Sequence, residues 1–365
     1  MPLPTRPIHA ITYKLEGVLS QSILQVKNLN VKFSLRGRTL HAIRDVCLDV
    51  TAGESLAIVG ESGSGKTVLC KTFMGLLDQN GWVDSGSILF EGADLAKYQT
   101  QQEWLTIRGR KIAMVLQDPM TSLNPLKSIG KQIGEALRLH QGLKGEEARQ
   151  RIADILTDVG IENPQRRMRQ YPHEFSGGMR QRAVIAIAVA CRPRILICDE
   201  PTTALDVTIQ AQILQLIGQL KVKYSLTTIY ITHDLGVVAN VADRVAVMYA
   251  GDIVEIGSCE EIYFSPRHPY TWALLSSLPQ LGRRGEELYA IKGTPPNLFN
   301  DIQGDAFAPR NPRALTVDFM RRPPYFELSP THKVKSWLED PRAPKVEPPE
   351  SLSRINPQGG SLYEC

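Results

Sequence analysis

The pattern of apolar and polar positions changes along the chain. After residue 22, short apolar runs alternate with longer amphipathic stretches up to about residue 257. Residues 208–224, for example, place apolar side chains at helical spacing. Strands that alternate with helices predict an α/β fold with a largely parallel central sheet. The runs predicted as strands are residues 23–26, 31–33, 55–59, 112–116, 195–198, 228–231 and 245–249.

The same pattern predicts four regions. Residues 1–22 are expected to be a flexible lead-in, and residues 23–257 to form the main domain. Within that domain, residues 119–182 show long helical patterns and no convincing strand, which predicts a helical subdomain over about 119–190. Prolines cluster after residue 257, which predicts a compact but loop-rich extension over 258–340 and a flexible tail over 341–365.

Composition narrows the class of protein only slightly. Of 365 residues, 42% are hydrophobic and 22% charged, which is ordinary for a globular protein with a sizeable core. A net charge of +4 is too small to indicate nucleic acid binding. The six cysteines form no CxxC pair, which argues against a zinc site or a disulfide framework and fits a reducing cytoplasm. Apolar runs are shorter than the roughly 20 residues that span a bilayer, so a membrane role is expected only through partners.

A glycine-rich loop follows the apolar run at 55–59. It fits the pattern G-x-x-x-x-G-K-[ST], in which backbone N–H groups and the next helix approach a triphosphate. Lys66 is expected to reach the β- and γ-phosphates of a nucleoside triphosphate, and Thr67 to hold Mg²⁺. The predicted phosphate-binding residues are Gly60, Glu61, Ser62, Gly63, Ser64, Gly65, Lys66 and Thr67.

Two acidic residues follow the apolar run at 195–198. A buried parallel strand that ends in carboxylates delivers them to the edge of the sheet where ligands bind. Asp199 is predicted to coordinate Mg²⁺, and Glu200 to polarise the attacking water.

A second anion site is predicted where Ser176, Gly177 and Gly178 open a helix. Serine is a good N-cap, and glycines leave the first amide groups uncovered. Because one chain needs only one cradle for a γ-phosphate, this helix end is expected to cap the nucleotide of another subunit. The alternative is an ordinary capped core helix.

Together, GESGSGKT, FSGGMRQR, ILICDE and the histidine of ITHD resemble an ATP-binding-cassette ATPase over residues 23–257. The resemblance implies a P-loop NTPase fold with a RecA-like mixed sheet core and a helical subdomain. It also implies that Gln117 contacts Mg²⁺ and senses a membrane partner, and that His233 contacts the γ-phosphate. Gln181 in the signature helix and Asp206 in the loop that communicates across a cassette dimer would help to bind the nucleotide, and Phe33 would stack on adenine. A structural role is the alternative for His233, and a core position for Phe33.

A finer resemblance, to the oligopeptide/dipeptide importer ATPases, covers nearly the whole chain after residue 22. QDPMTSLNP, YPHEF and RHPY carry it. It implies ATP hydrolysis that powers peptide import, two permease subunits, a related second cassette subunit and an extracytoplasmic peptide-binding protein. The chain would lie peripherally on the cytoplasmic face of the cell membrane. Alternatives are a soluble cassette ATPase of translation or DNA repair, a small-molecule kinase, and a nickel or other small-solute cargo.

One departure concerns an iron–sulfur site. Many relatives in that family carry four cysteines in the C-terminal region, where this chain has Asp305, Asn311, Asp318 and Ser336. A cluster needs thiolates, so none is expected here. The region is then predicted to fold around aromatic side chains, namely Phe307, Phe319, Tyr325, Phe326 and Trp337.

Overall fold

The structure is a computed structural model that describes residues 22–117, 122–203, 206–278 and 290–354. Its strands are β1 (Ser22–Leu35), β2 (Arg38–Thr51), β3 (Ser55–Val59), β4 (Gly81–Phe90), β5 (Ala93–Asp94), β6 (Ile112–Val115), β7 (Ile195–Asp199), β8 (Thr227–Thr232), β9 (Arg244–Tyr249), β10 (Asp252–Ser258), β11 (Phe326–Glu327) and β12 (Lys333–Val334). Its α-helices are α1 (Lys66–Thr72), α2 (Gln101–Leu105), α3 (Ile129–Gln141), α4 (Gly145–Asp158), α5 (Pro164–Arg167), α6 (Gly177–Val189), α7 (Val207–Tyr224), α8 (Leu235–Val241), α9 (Cys259–Phe264), α10 (Pro269–Ser276) and α11 (Thr316–Met320).

The central sheet has the strand order β11-β12-β10-β9-β3-β8-β7-β6. Strands β9, β3, β8, β7 and β6 run parallel to one another. Strand β10 pairs antiparallel with β9, β12 with β10, and β11 with β12. Every residue of β3 and β7 is buried, as expected of parallel strands covered on both faces. Alternate residues of β3 serve different layers, since Ala57 and Val59 pack with the helices and Leu56 and Ile58 pack with the second sheet.

The second sheet is antiparallel, with the order β2-β1-β4-β5. Strand β1 joins the two segments predicted at 23–26 and 31–33, with irregular pairing around Leu29. The sequence pattern did not predict β2 or β4. In β2 the apolar alternation is interrupted by the charged pair Arg44 and Asp45, which obscures the period of two.

Most of the other predicted elements are confirmed. The predicted runs at 55–59, 112–116, 195–198, 228–231 and 245–249 correspond to β3, β6, β7, β8 and β9. The predicted helix at 208–224 is α7. In the described part of the helical subdomain, residues 122–190, helices α3 to α6 are present and no strand occurs. Within the described ranges, no helix combines the length and the apolar character that crossing a membrane requires.

The C-terminal extension continues the central sheet, because β12 pairs with β10 and β11 pairs with β12. Buried ion pairs reinforce this junction. Asp252 of β10 accepts hydrogen bonds from Lys335 at 2.7 Å and from Arg322 at 2.6 Å. Glu255, also in β10, lies 2.7 Å from the imidazole of His332. The main domain therefore does not end at residue 257 as a packing unit.

Two predictions for the extension are wrong in part. Phe319, predicted as core, is 57% exposed, whereas Phe307 is buried and Phe326 contacts Trp337 edge-on with ring centroids 6.1 Å apart. Residues 341–354, predicted as part of a flexible tail, pack back onto the domain. Leu352 is buried there, and the Ser351 hydroxyl lies 2.9 Å from that of Ser276. Residues 1–21 and 355–365 lie outside the described residues, so flexibility there stays a prediction.

We expect Lys335→Ala to lower the free energy of unfolding by about 2 kcal/mol. The substitution removes one of the two cations that pair with buried Asp252, and it removes the ammonium from the face of Tyr325, 4.4 Å away. Lys333→Ala is the control, since its ion pair with Glu327 is exposed and should contribute less than about 1 kcal/mol. Urea denaturation of both variants measures the difference, and equal losses would contradict this account.

Candidate functional site

The predicted phosphate loop lies between β3 and α1. Gly60 has a φ of 151°, and a Cβ atom there would lie 2.1 Å from the carbonyl oxygen of Met248. Gly65, with a φ of 104°, begins α1 in the left-handed region. Only glycine fits both positions, because a side chain would clash at the first and be strained at the second. The loop therefore keeps its backbone close to the end of β9.

Lys66 lies inside the loop and is only 6% exposed. Its ammonium group donates to the carbonyl oxygens of Gly60 at 2.7 Å and Glu61 at 2.8 Å. Burial lowers the pKa of Lys66, and the carboxylates of Glu200, Asp199 and Glu61 oppose that effect. The cation is thus directed at the loop where phosphates are predicted to bind.

Thr67 and Asp199 supply neighbouring oxygen atoms, as predicted for a magnesium site. The Thr67 hydroxyl donates to the Asp199 carboxylate at 3.2 Å, which joins the start of α1 to the end of β7. Burial raises the pKa of Asp199, although the hydrogen bond from Thr67 opposes it. Hydroxyl and carboxylate oxygens are ligands that Mg²⁺ accepts, so this pair fits the ion.

Glu200 collects hydrogen bonds from three directions. Gln117 Nε2 donates to its carboxylate at 2.8 Å and Thr203 Oγ1 at 2.9 Å, while His233 Nδ1 lies 3.0 Å away. The backbone of Glu200 is left-handed, with a φ of 44°, and its N–H donates to Ile231 of β8. Residues predicted separately after β6, β7 and β8 are therefore brought together.

These donors control the charge of Glu200. Burial acts to raise its pKa, but the hydrogen bonds from His233 and Thr203 and the positive charge of Lys66 outweigh it. The pKa of Glu200 therefore lies below its ordinary value, and the group stays an anion. Thr203 was missed by the sequence analysis, although it follows the predicted acidic pair by only three residues.

The predicted second anion site begins α6. The Ser176 hydroxyl accepts from the Met179 N–H at 3.4 Å, so Ser176 is the N-cap, and Ser176 and Gly177 are exposed. Gln181 requires a correction. It is 1% exposed, and its Nε2 donates to the carbonyl oxygen of Pro201 at 2.7 Å. It ties α6 to the segment after Glu200 and is too deeply buried to contact a nucleotide on another subunit.

Two predicted site residues remain, Asp206 and Phe33. Asp206 is exposed and caps α7 by accepting a hydrogen bond from the Ile209 N–H at 2.9 Å. Residues 204 and 205, which precede it in the predicted loop, lie outside the described residues. Phe33 is 9% exposed and packs within the second sheet, where its ring fills the space above Gly81. That packing favours the core alternative for Phe33, and adenine stacking stays a prediction.

Residues 43–203 match the ABC transporter family, and residues 254–316 match the C-terminal region of oligopeptide/dipeptide transporters. Among the relatives, the oligopeptide transport ATP-binding protein AmiE of Streptococcus pneumoniae is 55% identical over 92% of this chain and 94% of its own length. The corresponding protein OppD of Bacillus subtilis is 56% identical over 90% of this chain and 92% of its own length. The dipeptide transport ATP-binding protein DppD of Lactococcus lactis is 53% identical over 91% and 95%. The chain belongs to this family of ABC transporter ATP-binding proteins.

Solved structures support the fold of this ABC protein. A dimeric ATP-binding cassette bound to ADP and Pi in a post-hydrolysis state aligns with a TM-score of 0.58 and 27% identity, over 65% of this chain and 98% of that one. The protein cbiO1 of Clostridium perfringens aligns with the same TM-score and 29% identity, over 67% and 91%. Those cassettes thus correspond to about two thirds of this ABC protein.

The four positions at which the family resemblance places cysteines lie in the C-terminal extension, and the residues present there do not fit an iron–sulfur cluster. Asp305, Asn311, Asp318 and Ser336 are all buried. Each side-chain oxygen accepts a hydrogen bond from a nearby backbone N–H, at 3.0, 2.9, 2.6 and 3.3 Å respectively, donated by Phe307, Arg313, Leu315 and Leu338. Burial also raises the pKa of Asp305 to about 7. Thiolates are what a cluster requires, and these positions offer bonded oxygens instead, so the prediction of no cluster stands as a prediction with chemical support.

Replacing Thr203 by Val should move the acid limb of the pH profile of ATP hydrolysis to higher pH. The hydroxyl helps to keep the pKa of Glu200 below its ordinary value. Without it that pKa rises, and the carboxylate is protonated at a higher pH as the solution is acidified. Thr203→Ser keeps the hydroxyl and is the matched control. The measurement is kcat as a function of pH, and an acid limb unchanged in Thr203→Val would contradict the role of this bond.

Proposed function

We propose that this chain binds and hydrolyses ATP and thereby powers the import of oligopeptides or dipeptides through an ABC transporter. The observation that carries the proposal is the convergence of Gln117, Thr203 and His233 on Glu200, next to Lys66 and the Thr67–Asp199 pair. Phosphoryl transfer to water requires a cation for the phosphates, oxygen ligands for a metal and an oriented base. Lys66, the Thr67–Asp199 pair and Glu200 would supply these three in turn.

In the proposed reaction the protein acts mainly by positioning and by charge. The glycine-rich loop and Lys66 hold the β- and γ-phosphates of ATP, and Thr67 with Asp199 would hold Mg²⁺. When bound, that ion neutralises charge on the phosphate oxygens. Glu200 accepts the hydrogen bond of the attacking water, and His233 and Gln117 fix the direction of the carboxylate. His233 also carries the proposed contact with the γ-phosphate, which its 63% exposed side chain is free to make.

Two cassettes are proposed to close head to tail around two ATP molecules. The start of α6, where Ser176 and Gly177 are exposed and Gly178 is half-buried, would face the nucleotide held by the other subunit's phosphate loop. Asp206, exposed at the start of α7, would contribute to the same interface. A related but non-identical chain is the proposed partner, and opening of the pair after hydrolysis would be transmitted to the membrane subunits near Gln117.

The proposed partners are two permease subunits, the second cassette subunit and an extracytoplasmic peptide-binding protein. The chain would be peripheral on the cytoplasmic face of the cell membrane. Support comes from the similarity to oligopeptide and dipeptide transport ATP-binding proteins over about nine tenths of the chain. It also comes from the match of residues 254–316 to the C-terminal region of such transporters. Neither similarity favours the alternatives of translation, DNA repair, a small-molecule kinase or nickel cargo.

Replacing Glu200 by Gln should preserve ATP binding, trap a nucleotide-bound pair and lower turnover by about 10²–10⁴-fold, the usual contribution of a general base. Gln is nearly isosteric with Glu but carries no negative charge to orient water. The measurements are equilibrium ATP binding and steady-state hydrolysis. Glu162→Gln, at an exposed site, is the control for the chemical change. Unchanged turnover in Glu200→Gln would remove Glu200 from its proposed role.

The transport proposal is tested by purifying the chain from gently solubilised membranes and identifying its associates by mass spectrometry. We expect two permeases and a second cassette subunit, and the accompanying binding protein would indicate the cargo. Recovery of ribosomal or DNA-repair proteins without membrane subunits would contradict transport while leaving the ATPase chemistry intact.

A further inference from the structure

An acidic residue lies within the phosphate loop, where a triphosphate is proposed to bind. All three polar groups of that residue, Glu61, are engaged. Its carbonyl oxygen accepts from Lys66 at 2.8 Å, and its N–H donates to the hydroxyl of Tyr270 at 2.8 Å. Its carboxylate accepts two hydrogen bonds from Arg310, at 2.6 and 3.0 Å. Two of the three partners, Tyr270 and Arg310, belong to the C-terminal extension.

Arg310 is itself held rigidly. Its side chain is only 5% exposed. Besides Glu61, its guanidinium donates to the hydroxyl of Tyr249 at 3.2 Å and to the carbonyl oxygens of Lys292 and Ile291 at 3.0 and 3.4 Å. A planar guanidinium that binds a carboxylate through two bonds fixes orientation as well as charge. The arginine thus arrives at the loop with little freedom to move.

An aromatic cluster supports Tyr270 and Arg310, the two partners of Glu61 that belong to the C-terminal extension. Tyr249, Tyr270 and Phe307 are buried, with ring centroids 4.5 Å apart for the two tyrosines and 5.3 Å from each tyrosine to Phe307. Tyr249 ends β9, Tyr270 lies in α10, and Phe307 precedes the 3-10 turn Ala308–Arg310. The cluster therefore connects the sheet, the extension and the phosphate loop.

We propose that Arg310 is a positioning residue for the phosphate loop, which neutralises Glu61 and fixes the loop in the conformation that accepts ATP. The inference rests on the proposed function. A free carboxylate next to the triphosphate would repel it, and this repulsion is strong where water is partly excluded. The bidentate pair removes the repulsion and prevents the loop from turning its carboxylate toward the nucleotide.

The proposal predicts a specific pattern in a double-mutant cycle. Arg310→Ala should weaken MgATP binding by roughly tenfold, because it leaves the Glu61 carboxylate uncompensated next to the triphosphate. Glu61→Gln should weaken MgATP binding less than Arg310→Ala does, because it removes the charge that needs neutralising together with the bidentate pair. The double variant should recover most of the loss caused by Arg310→Ala, since the two changes act on one interaction.

The experiment is titration of MgATP into the purified full-length chain, together with KM and kcat for ATP hydrolysis and the thermal midpoint of each variant. For Arg310→Ala we expect KM to rise with the dissociation constant, while kcat at saturating ATP stays within about twofold of the wild-type value. This is the result expected when an interaction equal in the ground state and the transition state is lost. Arg310→Lys, which keeps the charge but not the bidentate geometry, should bind MgATP better than Arg310→Ala. Arg313→Ala, in the same segment but stacked on Trp272, should behave as the wild type.

Three outcomes would overturn the inference. Wild-type affinity in Arg310→Ala would show that the pair does not act on ATP binding. A double variant as weak as Arg310→Ala would show that neutralisation of Glu61 is not the cause. A loss of MgATP affinity of roughly tenfold or more in Arg310→Lys relative to the wild type would do the same, because lysine keeps the charge that neutralises Glu61. That outcome does not depend on the stability of the alanine variant. By contrast, failure of the wild-type chain to bind MgATP any better than Lys66→Ala would contradict the proposed function itself.

Discussion

One buried ammonium group, that of Lys66, faces three carboxylates. Those of Glu200, Asp199 and Glu61 all oppose the effect of burial on its pKa. Such a concentration of negative charge is a difficult place to bind a triphosphate unless each carboxylate has its own compensation. Thr67 hydrogen-bonds Asp199, three side chains surround Glu200, and Arg310 pairs with Glu61. These three sets of contacts each compensate one carboxylate, and together they determine the arrangement of the site.

The topology of the central sheet explains how the compensating groups meet. Strands β3, β8, β7 and β6 are neighbours and parallel, so their carboxyl ends lie at one edge. The phosphate loop follows β3, His233 follows β8, Asp199 and Glu200 end β7, and Gln117 follows β6. Because the buried apolar residues fix each strand in the sheet, they also bring the polar residues that follow the strands within hydrogen-bonding distance of one another.

The sequence predicted most of this site because its information is local. Asp199, Glu200 and His233 lie within two residues of the end of an apolar run, and Lys66 closes the glycine-rich loop that follows another. A run that is buried on both faces is easily recognised. The prediction that Gln181 helps to bind the nucleotide was wrong because its position in the signature segment gives no indication of which face of α6 it occupies. Arg310 was missed because its partner Glu61 is 249 residues away, and no local pattern reports a contact at that separation. The prediction that Phe319 lies in the core was wrong for a related reason, since an aromatic residue in a short helix can point toward the core or toward solvent.

Polar side chains in the extension occupy the four positions at which the family resemblance places cysteines. Asp305, Asn311, Asp318 and Ser336 lie where the family resemblance places thiolates, and each now accepts a backbone N–H nearby. Two of them, Asp305 and Asn311, flank the short segment that contains Phe307 and Arg310. A backbone N–H left without a partner in a buried loop would be costly, so these side chains fix the turns on either side of the arginine. The segment can therefore hold Arg310 against the phosphate loop through its own hydrogen bonds, which makes the polar substitutions and the Arg310–Glu61 pair parts of one local structure.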